Sequence, residues 1–175
     1  MWWPDYQLRL FKKGKGRFPA KHVHEKVEVK GTTEKFKEPL LHQNYETVSQ
    51  FLYKMDKIYT ESEVEHIQRS GKTLDWFDAI RMPANDFLKT FFAQKGYKDG
   101  LHGLVLSILQ AMYMEVVFAK VWERQGFKEQ DIDLHVLKEE GKKVRREMRY
   151  WFLTSLLETR DPITKVLLRI RRKLL

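Results

Sequence analysis

The sequence contains no cysteine among its 175 residues, which excludes disulfide bonds, thiolate metal sites and cysteine nucleophiles. This absence is compatible with a reducing compartment. The chain opens without a basic region followed by an apolar run, so we expect no secretory signal. The apolar stretch from Leu101 to Met114 has no charged residue, but it is shorter than the ~20 residues that span a bilayer. We therefore expect its helix to be buried or half-immersed.

Several site types are also missing. Gly14-Lys15-Gly16 lacks the strand–helix context of a phosphate-binding loop, and no Ser/His/Asp set can be assembled. His22 and His24 would share one strand face, but a two-residue histidine spacing is more often a solvated edge than a metal site. The sequence therefore predicts no metal ligands.

The positive charge of the chain is concentrated at one end. The net charge is +9, and 42% of the residues are hydrophobic, enough for a folded domain. Residues 141–175 hold eleven basic and three acidic residues, a net +8. This asymmetry indicates an anionic partner for the tail, either a lipid surface or nucleic acid.

The pattern of apolar residues predicts an α+β fold with a small antiparallel β-ribbon followed by amphipathic helices. Alternation predicts strands at 6–11, around Arg17-Phe18 and at 23–29, with Lys13-Gly14-Lys15-Gly16 as a turn and a further edge strand at 36–42. We divide the chain into a ribbon (1–45), a helical membrane-proximal part (46–126) and a basic amphipathic helical tail (127–175).

Capping residues predict where the helices begin. Thr47 and Thr60 each open a capping box, Pro83 suits a first helical turn, and Asp99 suits the N-cap of the long apolar helix. Residues 129–159 form a further predicted helix, weakened at Gly141, and Asp161-Pro162 restarts the chain as a last one.

The last predicted helix is amphipathic. Its apolar side holds Ile163, Val166, Leu167, Ile170 and Leu174, and its other side holds Lys165, Arg169, Arg172 and Lys173. These four cations are the predicted membrane-binding residues, because such a pattern is typical of a helix on an anionic membrane surface. A helix packed on its own domain with a solvated basic face fits the pattern equally well.

Glu25 is the candidate catalytic residue. In a strand over 23–29 it shares a face with Val23, Val27 and Val29, while His24 lies on the other face. A carboxyl group in apolar surroundings tends to have a raised pKa, which suits proton transfer. The alternative is a solvated Glu25 at the rim of the strand.

Several motifs resemble family 2 glycosyltransferases, in the branch that resembles lipopolysaccharide-core glucosyltransferases. The matching stretches, in order, are Pro4-Asp5-Tyr6-Gln7-Leu8-Arg9-Leu10-Phe11-Lys12-Lys13-Gly14, Val23-His24-Glu25 through Gly31, Leu40-Leu41-His42-Gln43-Asn44-Tyr45, Phe51-Leu52-x-Lys54, Tyr59-Thr60, Gly96-Tyr97-Lys98-Asp99-Gly100-x-x-Gly103 and Lys120-x-Trp122. The resemblance covers most of residues 4–126. Such enzymes begin with a nucleotide-sugar-binding half carrying an Asp-x-Asp motif for Mg or Mn, and we expect this chain to lack that half. Asp131-Ile132-Asp133 matches the Asp-x-Asp pattern, but we expect it to lie in a helical context.

The resemblance implies roles for four residues. Glu25 would be the general base of an inverting hexosyl transfer, and Arg9, with Gln7 beside it, would neutralise the leaving diphosphate. His24 would contact the diphosphate or its metal. The implied partners are a nucleotide-sugar and a membrane-linked glycan or lipid acceptor of cell-envelope biosynthesis. The divalent metal is not expected to bind this chain alone.

The predicted location is cytoplasmic, at the inner face of the cell membrane, and activity is expected only with the missing half. A competing interpretation is a non-catalytic module that binds anionic membranes through its basic helices. Nucleic-acid binding is disfavoured, because Tyr150, Trp151 and Phe152 are consecutive and do not form one stacking surface.

Overall fold

The computed structural model describes residues 6–19, 27–41, 43, 45–158 and 161–173. It confirms the α+β class, with a small antiparallel sheet near the N-terminus and helices after it. The chain divides into two compact units, Trp2–Ser70 and Gly71–Leu175. The three-part division of the sequence stays a prediction.

The ribbon is shorter than predicted. Strand β1 (Gly16–Arg17) pairs antiparallel with β2 (Glu28–Val29), and Gly14 adopts φ 79° in the turn before β1. The strands predicted at 6–11 and 36–42 are wrong for their described residues, which form no strand. The side chains of Leu10 and Leu41 are 72% and 92% exposed. These leucines therefore do not pack against a core, and such packing is what would hold a strand in a sheet. Most of the strand predicted at 23–29 lies outside the described residues, and β2 is its end.

The helices of the first unit run on from one another. Helix α1 (Val48–Lys54) passes through a π-helical turn (Met55–Tyr59) into α2 (Thr60–Arg69). Thr47 caps α1 as predicted, with its Oγ1 accepting a hydrogen bond from the Gln50 N–H at 3.1 Å. The second capping box is wrong. Thr60 is fully buried and its hydroxyl donates to the Met55 carbonyl, because the chain is already helical there.

The second unit is helical. It contains α3 (Asp78–Leu88), a π-helical turn (Lys89–Ala93), a 3₁₀ turn (Gly96–Asp99), α4 (Gly100–Arg124), α5 (Leu134–Leu156) and α6 (Pro162–Lys173). Helix α3 packs against α4 and α5, and α5 packs against α6. Its core is formed by Leu74, which precedes α3, and by five buried apolar residues of the helices: Leu88, Val117, Val121, Leu153 and Leu168.

Two predicted helix starts are corrected and one is confirmed. Helix α3 begins at Asp78, so Pro83 lies inside it and not in its first turn. Helix α4 begins at Gly100 as predicted, with Asp99 at its N-cap position, although the Asp99 side chain makes no capping hydrogen bond. Helix α5 begins at Leu134, because Asp133 Oδ1 accepts from the His135 N–H at 2.7 Å, and it continues through Gly141 without a break.

Candidate functional site

The predicted catalytic residue Glu25 and its neighbour His24 lie outside the described residues, so their roles stay predictions. Arg9 and Gln7 are exposed and lie in the irregular segment that precedes the ribbon turn. The predicted proximity of Arg9 to Glu25 is therefore also a prediction.

Close packing of an aromatic ring explains part of the first motif. A Cβ atom added to Gly16 would lie 2.7 Å from Phe11 Cγ, so only glycine lets the Phe11 ring rest on β1. On the other face of the ribbon Arg17 Nη2 lies 2.8 Å from Glu28 Oε2 across the two strands. The motif thus defines a compact turn, with one face covered by Phe11 and the other facing solvent.

The glycine motif at the start of α4 is a close backbone contact. A Cβ added to Gly103 would overlap the carbonyl oxygen of Gly96 and lie 2.8 Å from its carbonyl carbon. Lys95 (φ 61°) and Gly100 (φ 60°, ψ −138°) turn the chain on either side of the 3₁₀ turn. Gly100 occupies a region of backbone conformation that is essentially restricted to glycine. Gly96, Gly100 and Gly103 together fold the chain back onto α4.

An ion-pair cluster joins this turn to the end of α5. Glu158 Oε1 lies 2.8 Å from Lys95 Nζ, and its Oε2 lies 2.7 Å from Lys98 Nζ and 3.3 Å from the Tyr97 hydroxyl. Hydrogen bonds from Lys95 and Lys98 lower the pKa of Glu158 to about 2. The cluster ties the glycine motif to the basic tail.

A buried carboxylate that sequence reasoning missed links α3 and α5. Glu140 is 3% exposed and accepts hydrogen bonds from Arg81 Nε at 2.5 Å, Arg81 Nη2 at 2.7 Å and Lys143 Nζ at 2.7 Å. The Arg81 guanidinium also lies 4.3 Å from the centre of the Phe77 ring. Hydrogen bonds from Arg81 and Lys143 lower the pKa of Glu140 to about 2. The separation of 59 residues between Arg81 and Glu140 left no local signal in the sequence.

We expect Glu140→Gln to lower the melting temperature at pH 7, because Arg81 and Lys143 would lose their shared counter-ion. A carboxylate with a depressed folded-state pKa contributes stability above its ordinary pKa, and this contribution is lost as the pH falls. For Glu140 the loss runs from its ordinary pKa of 4.5 down to about 2. Thermal unfolding measured across this window should show a steeper acid loss in the wild type than in the variant.

The matched control is Glu139→Gln. Glu139 pairs with Lys142 Nζ at 2.7 Å on the surface, where ion pairs contribute little. An equal drop in melting temperature for both variants at pH 7 would contradict the special role of Glu140.

Helix α6 packs on α5 with its more polar side inward. Leu168 is buried, and Arg172 donates from Nη1 to Thr154 Oγ1 at 3.2 Å and lies 5.2 Å from the Tyr150 ring centre. Lys165 is half-buried, so of the four predicted membrane-binding residues only Arg169 and Lys173 are exposed.

The apolar side of α6 faces outward. Four side chains on this side are half or more exposed: Ile163 78%, Val166 53%, Leu167 59% and Ile170 52%. We call them the α6 apolar stripe. By helical periodicity the exposed Arg171 lies along one edge of the stripe, and Arg169 and Lys173 lie along the other. This arrangement differs from a helix that buries its apolar face against its own domain, which was the alternative left open by the sequence.

Helix α4 has a second outward apolar face. The segment Gly96–Arg124 is long and apolar enough to cross a membrane, by length and composition alone, and 17% of its most apolar window is buried. Its exposed apolar side chains follow helical spacing: Leu101, Val105, Ile108 and Met112. The expectation that this helix is buried or half-immersed stays a prediction.

In the described part of the chain no group of three or more His, Asp or Glu residues is placed to hold a metal ion. Asp133 of the Asp131-Ile132-Asp133 sequence serves instead as the N-cap of α5. The described residues of this chain therefore do not form a site for the divalent metal that the resemblance implies.

The chain is similar to a glycosyltransferase. No family model and no solved structure matches it. Over 123 residues it is 28% identical to the lipopolysaccharide core biosynthesis glycosyltransferase LpsC of Rhizobium meliloti (strain 1021). The alignment covers 69% of this chain and 45% of LpsC, so the chain spans about half the length of this relative. The similarity indicates a distant relationship to a glycosyltransferase.

Proposed function

We propose that this chain is the acceptor-side portion of an inverting family 2 glycosyltransferase. It would act when combined with a half that binds a nucleotide-sugar, and would transfer a hexose to a membrane-linked glycan or lipid. The similarity to LpsC over 69% of the chain carries this proposal. The alignment leaves more than half of LpsC unmatched, and the proposal assigns donor binding to a counterpart of that unmatched part.

In this function Glu25 removes the proton from the acceptor hydroxyl as its oxygen attacks the anomeric carbon. The bond from that carbon to the diphosphate breaks, and Arg9 and Gln7 stabilise the charge on the departing diphosphate. His24 contacts the same diphosphate. Mg or Mn, when bound in the donor-binding half, would supply further charge neutralisation.

The experiment that tests this function is a transfer assay with radiolabelled nucleotide-sugar and an acceptor in lipid vesicles. This chain, a separately expressed donor-binding domain and the mixture of both are compared. Label should enter the vesicle fraction only with the mixture. The same incorporation with the donor-binding domain alone would contradict the proposal.

The proposed location is the cytoplasmic face of the cell membrane, and the α6 apolar stripe supports it. Exposed aliphatic side chains bordered by Arg169, Arg171 and Lys173 match a bilayer surface, where apolar groups enter the acyl region and cations remain among anionic headgroups. The net +8 of residues 141–175 supplies longer-range attraction to the same surface. The exposed apolar face of α4 offers a second area for this contact.

We expect the double substitution Leu167→Gln and Ile170→Gln to weaken binding to vesicles containing anionic lipid by roughly tenfold or more, because it removes apolar area that would enter the bilayer. Co-sedimentation with vesicles at several lipid concentrations measures the effect. The melting temperature should remain unchanged, since these side chains are 59% and 52% exposed.

The control is Ile132→Gln with Leu134→Gln, which removes similar apolar area at the start of α5, where the side chains are 58% and 75% exposed. Binding equal to the wild type is expected for this control. If both double variants bind vesicles as tightly as the wild type, the α6 apolar stripe is not the contact.

A non-catalytic membrane-binding module is the second candidate, and the α6 apolar stripe favours it equally. The transfer assay separates the two. The module is supported if this chain binds vesicles but its addition to the donor-binding domain does not increase sugar transfer.

A further inference from the structure

The solvent-facing side of the β-ribbon places two lysines opposite each other. In the register of β1 and β2, Gly16 pairs with Val29 and Arg17 pairs with Glu28. The Lys30 N–H donates to the Lys15 carbonyl at 2.8 Å, which continues the pairing by one residue. Side chains alternate along each strand, so Lys15, Arg17, Glu28 and Lys30 share one face. Lys15 and Lys30 are therefore cross-strand neighbours.

The charges on this face are unbalanced. The Arg17 charge is compensated by Glu28, whose Oε2 lies 2.8 Å from Arg17 Nη2. Within the part of the chain that the structure describes, neither Lys15 nor Lys30 forms an ion pair, and both are exposed. Like charges directly opposite each other destabilise a strand pair. An anion held between the two ammonium groups would remove this repulsion.

The same residues line a hollow that is open to solvent. Its volume is about 290 Å³, and its lining consists of Gly14, Lys15, Gly16, Arg17, Glu28 and Lys30. Three cations and one carboxylate make the lining net positive. Gly14 carries no side chain, and no atom lies within 4 Å of a Cβ added there, so a ligand can approach the backbone of the turn closely at this residue. The opposite face of β1 is covered by Phe11.

We propose that the Lys15–Lys30 hollow is a binding site for a small phosphate-bearing anion from solution, such as a diphosphate group. Lys15 and Lys30 line it and supply two positive charges, and Arg17, which also lines it, supplies guanidinium N–H groups. The size of the hollow, at the lower end of the range for small-molecule sites, suits a diphosphate and not a whole nucleotide-sugar. The site rests on the charge and shape of the ribbon and does not depend on the transferase proposal.

In the test, the full 175-residue chain is titrated with pyrophosphate and the heat of binding is measured by calorimetry. The wild type should bind, and Lys15→Gln and Lys30→Gln should each weaken binding by about tenfold, through the loss of one of two close charges. The matched control is Lys37→Gln, an exposed lysine of the same unit that does not line the hollow, and it should bind as the wild type does. A merely structural role for the lysines is separated by thermal unfolding. Without anion, the two hollow variants should unfold at a temperature no lower than the wild type, because each removes a like-charge pair.

Three results would overturn the proposal. The first is the absence of pyrophosphate binding by the wild type, and the second is equal weakening in Lys37→Gln, which would mean general charge attraction. The third comes from vesicles of phosphatidylglycerol. If Lys15→Gln and Lys30→Gln lose vesicle binding while pyrophosphate binds none of the proteins, the hollow is a lipid-headgroup contact. Pyrophosphate binding that depends on both lysines, with vesicle binding unchanged, supports the site.

Discussion

Glu25→Gln is expected to lower the rate of sugar transfer by the reconstituted enzyme by about 10²–10⁴-fold, the range that a general base contributes. Glutamine has nearly the same shape as glutamate but cannot accept the proton of the acceptor hydroxyl at neutral pH. The loss should therefore appear in kcat, with little change in the KM of the acceptor, because the substitution affects the reacting proton and not the binding surface. Initial rates over a range of acceptor concentrations separate the two constants.

The control for this experiment is Glu34→Gln. Glu34 is an exposed carboxylate in the same unit, nine residues after Glu25, outside the proposed roles. Its variant should turn over at the wild-type rate. Full activity of Glu25→Gln in the same assay would show that Glu25 is not the general base. The alternative interpretation, a solvated Glu25 at the rim of the predicted strand, would then stand.

Gly103→Ala is expected to destabilise the second unit by about 3 kcal/mol, the upper end of the cost of overpacking. The added methyl group would overlap the carbonyl of Gly96 in the 3₁₀ turn, and Lys95 just before this turn and Lys98 within it are ion-paired to Glu158. The turn cannot retreat without breaking these contacts. Urea denaturation followed by circular dichroism measures the change, with the midpoint shifted and the slope retained.

Gly141→Ala provides a control of opposite sign. Gly141 lies within α5, and no atom lies within 4 Å of a Cβ added there. Alanine has a higher helix propensity than glycine, so this variant should gain about 0.5–1 kcal/mol. If Gly103→Ala also stabilises the chain, the close contact between Gly96 and Gly103 does not exist in solution.

Local signals in the sequence predicted much of the helical part. Thr47 and Asp161 mark helix starts that depend on neighbours a few residues away, and both starts are observed. Asp161 Oδ1 accepts from the Thr164 N–H at 3.0 Å, as an N-cap should. The glycine spacing at 96–103 indicated a motif, but the sequence did not predict its physical role. The structure shows that the Gly96 carbonyl packs closely against Gly103 of α4.

Long-range contacts explain what the sequence did not predict. The alternation at 6–11 is typical of a strand, but a strand also needs a partner, and periodicity does not report one. Glu140 looked like one charge in a basic helix, and only the packing of α3 on α5 placed Arg81 against it. The amphipathic pattern of α6 gave its two faces correctly but did not indicate which of them faces inward.

The inward contact of α6 includes the buried Leu168 and the hydrogen bond from Arg172 to Thr154, so in the proposed membrane contact the helix would be folded and oriented before it meets a bilayer. A disordered basic tail would lose conformational entropy on adsorption, whereas this preorganised helix has already lost most of it during folding. Attachment would then need neither refolding nor opening of the α5–α6 contact. The association rate would be governed by diffusion and electrostatic steering, and should fall as salt is added.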